Sequence, residues 1–154
     1  MFYKLKTIIF VLIFLVTPFV VGATVLDFNV DPSYDYLGRA KVSAVLLQIG
    51  QAAYFYIEED YHQNLSEEER KNLTREVQDL LKEFDEKIYI ELRAAFGFEW
   101  KPGIDKDDKI TVFLTQIKEG SAGYFNSGDE YPKAQNPTSN EREMIYLNVD
   151  YLGT

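Results

Sequence analysis

The chain has no cysteine and a single histidine, His62, so several common kinds of chemistry lack members from the outset. A cysteine nucleophile is absent, and one imidazole cannot serve both as triad base and as part of a multi-histidine metal site. No Gly-rich phosphate loop of the Walker type occurs. The side chains left with chemical potential are carboxylates. Asp105, Asp107 and Asp108 alternate after a glycine turn, Gly103, and offer hard oxygen ligands of the kind calcium takes. An EF-hand loop starting at Asp105 would need glycine at its sixth position, where Ile110 stands, and glutamate at its twelfth. The alternative is a solvated turn that caps the strand following it. Asp129 and Glu130 could share acid–base work, but adjacent acids in a Gly/Pro-rich loop read first as exposed. His62, beside the acidic end of an apolar run, reads as a surface residue.

The elements that must position these groups follow from periodicity. Residues 24–41 hold Asn29, Asp31, Pro32, Ser33 and Gly38 without a clear period, which predicts a linker or loosely attached arm. Val42 to Ile49 and Ala52 to Ile57 are β-prone runs around Gly50-Gln51, a predicted hairpin. Ser66 with Glu69 forms a capping box. Behind it Leu73, Val77, Leu80, Leu81, Phe84, Ile88, Leu92, Ala95 and Phe96 fall on one helical stripe, with Arg75, Asp79, Lys82, Glu86 and Arg93 opposite. This predicts one long amphipathic helix over 67–96, stopped by Gly97. Strands are expected at 110–115 and 144–149, with a short edge strand at 122–125. The fold class is therefore α+β, a small twisted mixed sheet backed by one long helix.

The N-terminus carries an export address. Lys4 and Lys6 precede an apolar run from Thr7 to Val21, and Val21-Gly22-Ala23 supplies small residues for a peptidase. Residues 1–23 thus read as a cleavable signal peptide, and the remainder as secreted and extracellular; the alternative is an uncleaved membrane anchor, for which the apolar run is short and interrupted by Pro18. With cleavage, contact with the membrane is transient, through that segment alone. The whole chain has a net charge of -9, and removing Lys4 and Lys6 makes the rest more negative. Such a surface repels phosphate, which disfavours nucleic acid and anionic lipid as partners. Without cysteine the exported segment holds itself by packing alone, for which eleven Tyr and eleven Phe are ample. Asn64-Leu65-Ser66 and Asn72-Leu73-Thr74 are glycosylation sequons, relevant in a host that glycosylates.

Three blocks in order carry a family resemblance: Phe96 to Asp107 with the strand to Thr115; Gly123-Tyr124-Phe125 with Asp129-Glu130-Tyr131; and Ser139 to Asn148. They resemble the N-terminal part of secreted bacterial zinc metallopeptidases, the hyicolysin-like and immune-inhibitor-A-like zincins, across roughly 42–150. The resemblance implies the N-terminal subdomain of a zincin, residues 42–154, as an incomplete piece of the catalytic domain. It implies that Gly123, Tyr124 and Phe125 form an edge strand holding a peptide or protein substrate by main-chain hydrogen bonds. It also implies that 144–149 leads into a helix bearing HExxH, whose histidines bind zinc and whose glutamate is the general base. No HExxH occurs in these residues, so the expectation is a truncated front portion, inactive toward peptide bonds alone. A non-catalytic extracellular peptide- or protein-binding module is the alternative.

Overall fold

The computed structural model describes residues 25–152, and the expected signal peptide at 1–23 lies outside them. Among the described residues no helix is long and apolar enough to cross a membrane. Strands β1 (Val25–Asn29), β2 (Lys41–Ile49), β3 (Ala53–Glu58), β4 (Ile110–Thr115), β5 (Gly123–Phe125) and β6 (Met144–Asn148) form one mixed sheet in the order β1-β2-β3-β4-β6-β5. β3, β4 and β6 run parallel, while β1–β2, β2–β3 and β5–β6 pair antiparallel. Between β3 and β4 lie α1 (Glu59–Asn64), α2 (Glu67–Glu83), a π-helical segment (Phe84–Ile88) and α3 (Tyr89–Phe96). The architecture is the α+β sheet with one long helical backing, Glu67 to Phe96, that the sequence predicts.

Alternation along the strands splits the core in two. Phe55, Ile57, Val112 and Leu114 face the helix with Leu73, Val77 and Phe84. Phe28, Val42, Ala44, Tyr56, Phe113, Met144 and Tyr146 form the opposite face. The Ser66–Glu69 capping box is present and satisfies two backbone donors at the start of α2.

Two expectations need correction. The 24–41 stretch is no loose arm: β1 pairs with β2 from Val25↔Val45 to Asn29↔Lys41, and Phe28 is buried. The loop after β1 is sewn down by Tyr36 N–H to the Gln116 carbonyl and Lys118 N–H to the Tyr34 carbonyl, at 3.1 and 2.8 Å. A five-residue strand flanked by turn formers gives too short a pattern to read alone; β2 supplies its pairing. The helical stripe also fails beyond Ile88, which still packs against the core. The π segment inserts an extra residue and rotates everything after it, so Leu92, Ala95 and Phe96 are exposed. Arg93, expected in water, is half-buried and lies over the Tyr89 and Phe98 rings.

The π segment has a visible use. It leaves Phe84 in the core and turns Asp85 onto the β2–β3 hairpin, where its carboxylate accepts from Gln51 N–H at 2.7 Å and Ala52 N–H at 2.9 Å. Gly50 leaves room for it, since a Cβ there would stand 2.8 Å from an Asp85 oxygen.

Candidate functional site

The three residues expected to hold substrate lie together on β5, an edge of the sheet. The pairs are Gly123↔Leu147, Tyr124↔Tyr146 and Phe125↔Ile145, and Asn148 N–H donates to the Ala122 carbonyl at 2.8 Å. Hydrogen-bonded pairs alternate along an antiparallel ladder. Tyr124 therefore spends its main-chain groups on Tyr146, while those of Gly123 and Phe125 point outward. Among the described residues nothing pairs with that outer side. Gly123 is there for close approach: a Cβ would lie 2.5 Å from the Tyr146 carbonyl oxygen.

Side chains around the edge divide by face. On the helix side, Phe125 and Ile145 border a largely apolar trough of about 930 Å³ that Phe84, Leu92, Phe96 and Ile110 also line, with Arg93 and Glu99 as its charged members. On the other side Tyr124 is locked in a stack, 4.2 Å from Tyr146 and nearly parallel to it, with Tyr34 4.7 Å away on its outer face. Behind the stack sits a buried polar cluster. Asp129 is 1% exposed and accepts from the Tyr146 hydroxyl at 2.7 Å and from Asn140 N–H at 2.9 Å. Asn140 exchanges hydrogen bonds with the Asn29 main chain, both at 2.8 Å. Burial raises the Asp129 carboxyl above its ordinary range against the pull of those hydrogen bonds, and burial with the Asp129 charge pushes the Tyr146 hydroxyl well up. Reading Asp129 as an exposed loop acid was wrong; no local pattern marks it, because Tyr146 and Asn140 reach it across the fold.

A second buried cluster closes the carboxyl ends of β3 and β4. Glu58 and Asp35 grip the Arg39 guanidinium between them, and Thr115 Oγ1 donates to Glu58 at 2.8 Å. Burial opposes ionisation of Asp35, but the Arg39 hydrogen bonds and charge outweigh it and hold its pKa below the usual 3.8. A carboxylate depressed in the folded state stabilises above its unfolded pKa, and that contribution disappears as pH falls through the folded value. Asp35→Asn should thus destabilise the protein at pH 7, with its unfolding midpoint approaching that of the parent only as pH falls below the usual aspartate value of 3.8. Parallel urea melts across pH check this, and a difference that stays constant throughout the acid range would contradict it.

The aspartate loop is employed in turn geometry. Asp105 accepts from Asp107 N–H at 2.9 Å, and Asp107 accepts from Lys109 N–H at 3.0 Å and from the Tyr54 hydroxyl at 2.8 Å. Asp108 is exposed. Among the described residues no group of three or more His, Cys, Asp or Glu is gathered as a metal cage. His62 is half-buried on α1, its pKa lowered by burial and by the Arg70 charge. These residues do not fit a catalytic zinc centre, which takes three protein ligands and an open position. No protein-family model matches the chain, and comparison with curated proteins finds no match.

Proposed function

We propose that this chain is the front, substrate-holding portion of a secreted zinc metallopeptidase-like catalytic domain, with β5 as the strand along which an extended peptide is laid. The observation that carries the reading is the open outer side of β5, where Gly123 and Phe125 present unpaired main-chain groups on a rigidly backed edge. Strand addition uses such groups for affinity and flanking pockets for side-chain choice. The trough beneath Phe125 accepts apolar side chains from the peptide face turned toward the helix.

The residues that hold peptide and those that would bind zinc are separate in this reading. The chain contributes orientation and supplies no zinc ligand set, so peptide binding without hydrolysis is its expected behaviour.

Titration of the ¹⁵N-labelled protein with an extended peptide carrying apolar residues at alternate positions tests the reading. Expected are shifts at the Gly123 and Phe125 amides with a Kd on the order of 10⁻⁴ M, weak because one short edge supplies few contacts. Shifts elsewhere, or none at millimolar peptide, would refute edge binding.

A further inference from the structure

In a chain with so many more acids than bases, a cation left without a partner needs an explanation. Of the five arginines, Arg39 is held by Asp35 and Glu58, Arg70 by the Leu65 carbonyl, while Arg75 reaches Asn72 and Arg93 faces Glu99. The Arg142 guanidinium is different. It is half-buried yet makes no ion pair or hydrogen bond among the described residues. It lies 5.7 Å over the ring of Phe28, a buried residue that gives it a rigid support.

Arg142 lines a cleft of about 280 Å³ at the outer edge of β1, together with Lys41 and Lys133. The Lys41 ammonium also lacks a partner among the described residues, and Lys133 is tied only loosely to Glu141, at 3.7 Å. Asp27 is the acid of the lining, and its carboxylate accepts from the Ser43 hydroxyl at 2.8 Å. Set against Asp27 and Glu141, the three cations still leave a positive excess. The main chain adds a donor. Val30 N–H turns inward to the Ala40 carbonyl, and Asn29 N–H turns outward to Asn140. By the alternation of an antiparallel ladder Asp27 N–H turns outward too, with no partner among the described residues. Asn140 occupies both main-chain groups of Asn29, so the open stretch of this edge is too short to seat a long strand.

We propose that this cleft binds a small tetrahedral oxyanion of the phosphate or sulfate class. The Arg142 fork presents paired N–H donors to such an ion, with two ammoniums and a free main-chain N–H lining the same space. A planar carboxylate would satisfy the fork alone; a tetrahedral dianion uses donors from β1, β2 and the loop before β6. The cleft holds such an ion with several waters, at about 30 Å³ for each water. The acid surplus elsewhere is screened beyond about 10 Å at 0.1 M salt, so it turns away long polyanions more than a single small ion.

Titration of the ¹⁵N-labelled protein with inorganic phosphate, sodium chloride holding the ionic strength constant, tests the proposal. Expected are saturable shifts at the Asp27 amide and Arg142 Nε with a Kd on the order of 10⁻³ M, and acetate at least tenfold weaker. Arg142→Gln should weaken phosphate at least tenfold and Lys41→Gln severalfold, each with an unchanged far-UV spectrum, since neither head group has a partner to lose. Phosphate should also raise the melting temperature of the parent more than that of Arg142→Gln, a comparison that cancels the general salting effect. Arg142→Gln should keep the peptide-induced shifts at Gly123 and Phe125, which separates this cleft from edge binding at β5. Shifts that chloride reproduces, acetate bound as tightly as phosphate, or phosphate binding indifferent to both substitutions would overturn the proposal.

Discussion

Gly123→Ala should be damaging, although alanine is ordinarily the better strand residue. The added methyl would sit 2.5 Å from the carbonyl oxygen of Tyr146 on the neighbouring strand. That contact is with backbone, which cannot swing aside as a flexible side chain would. β5 must then move away from β6 or bend, and overpacking of this kind costs about 1–3 kcal/mol. β5 is only three residues long. The expected result is therefore local: loss of amide protection at Tyr124 and at least a tenfold fall in peptide affinity, with the α2 amides unchanged. Because the clash begins at Cβ, Gly123→Val should be scarcely worse than Gly123→Ala. Native-state hydrogen exchange checks both, and an alanine variant with full protection at β5 would refute the close-approach account.

Asp129→Ala should cause the largest loss of stability among single changes around the site. The carboxylate is the shared acceptor for the Tyr146 hydroxyl and Asn140 N–H, inside a cluster that joins β1, β6 and the loop between β5 and β6. Tyr146 has a fallback acceptor in the Asn29 carbonyl at 3.1 Å, whereas the Asn140 amide loses its acceptor. An unsatisfied buried donor costs about 1–3 kcal/mol, and the vacated volume adds to it. The total expected is about 2–4 kcal/mol, or roughly 10 °C in melting temperature for a chain of this size. Asp129→Asn keeps an oxygen acceptor and should recover a large part of the loss. Combined with Tyr146→Phe, the double variant should lose less than the sum, since the two residues share one hydrogen bond. Thermal melts of the four proteins decide it; strict additivity would show that the cluster does not act as a unit.

Much of this fold was legible because its signals are local. The capping box at Ser66, the run from Leu73 to Phe84, the hairpin around Gly50 and the β-branched strand at 110–115 each announce themselves within a few residues. What escaped depends on partners far along the chain. β1 became a strand by pairing with β2, and the π segment, which seats Asp85 under the hairpin, shifted the stripe that should have run on to Phe96. The edge strand at Gly123, Tyr124 and Phe125 was legible from the residues themselves, and its pairing with β6 supplies what they could not: which of the three turn outward. Glu58 and Asp129 are buried acids whose partners come from elsewhere in the fold, so composition alone put Asp129 in solvent.

The proposed place of this chain at the front of a zinc metallopeptidase domain is tested most directly by a peptide map of the natural product. The account predicts a product that begins after Ala23 and continues past Thr154 into a peptide containing HExxH, with stoichiometric zinc bound to the whole. A natural product that ends at Thr154, or one that continues without any such motif, would contradict it.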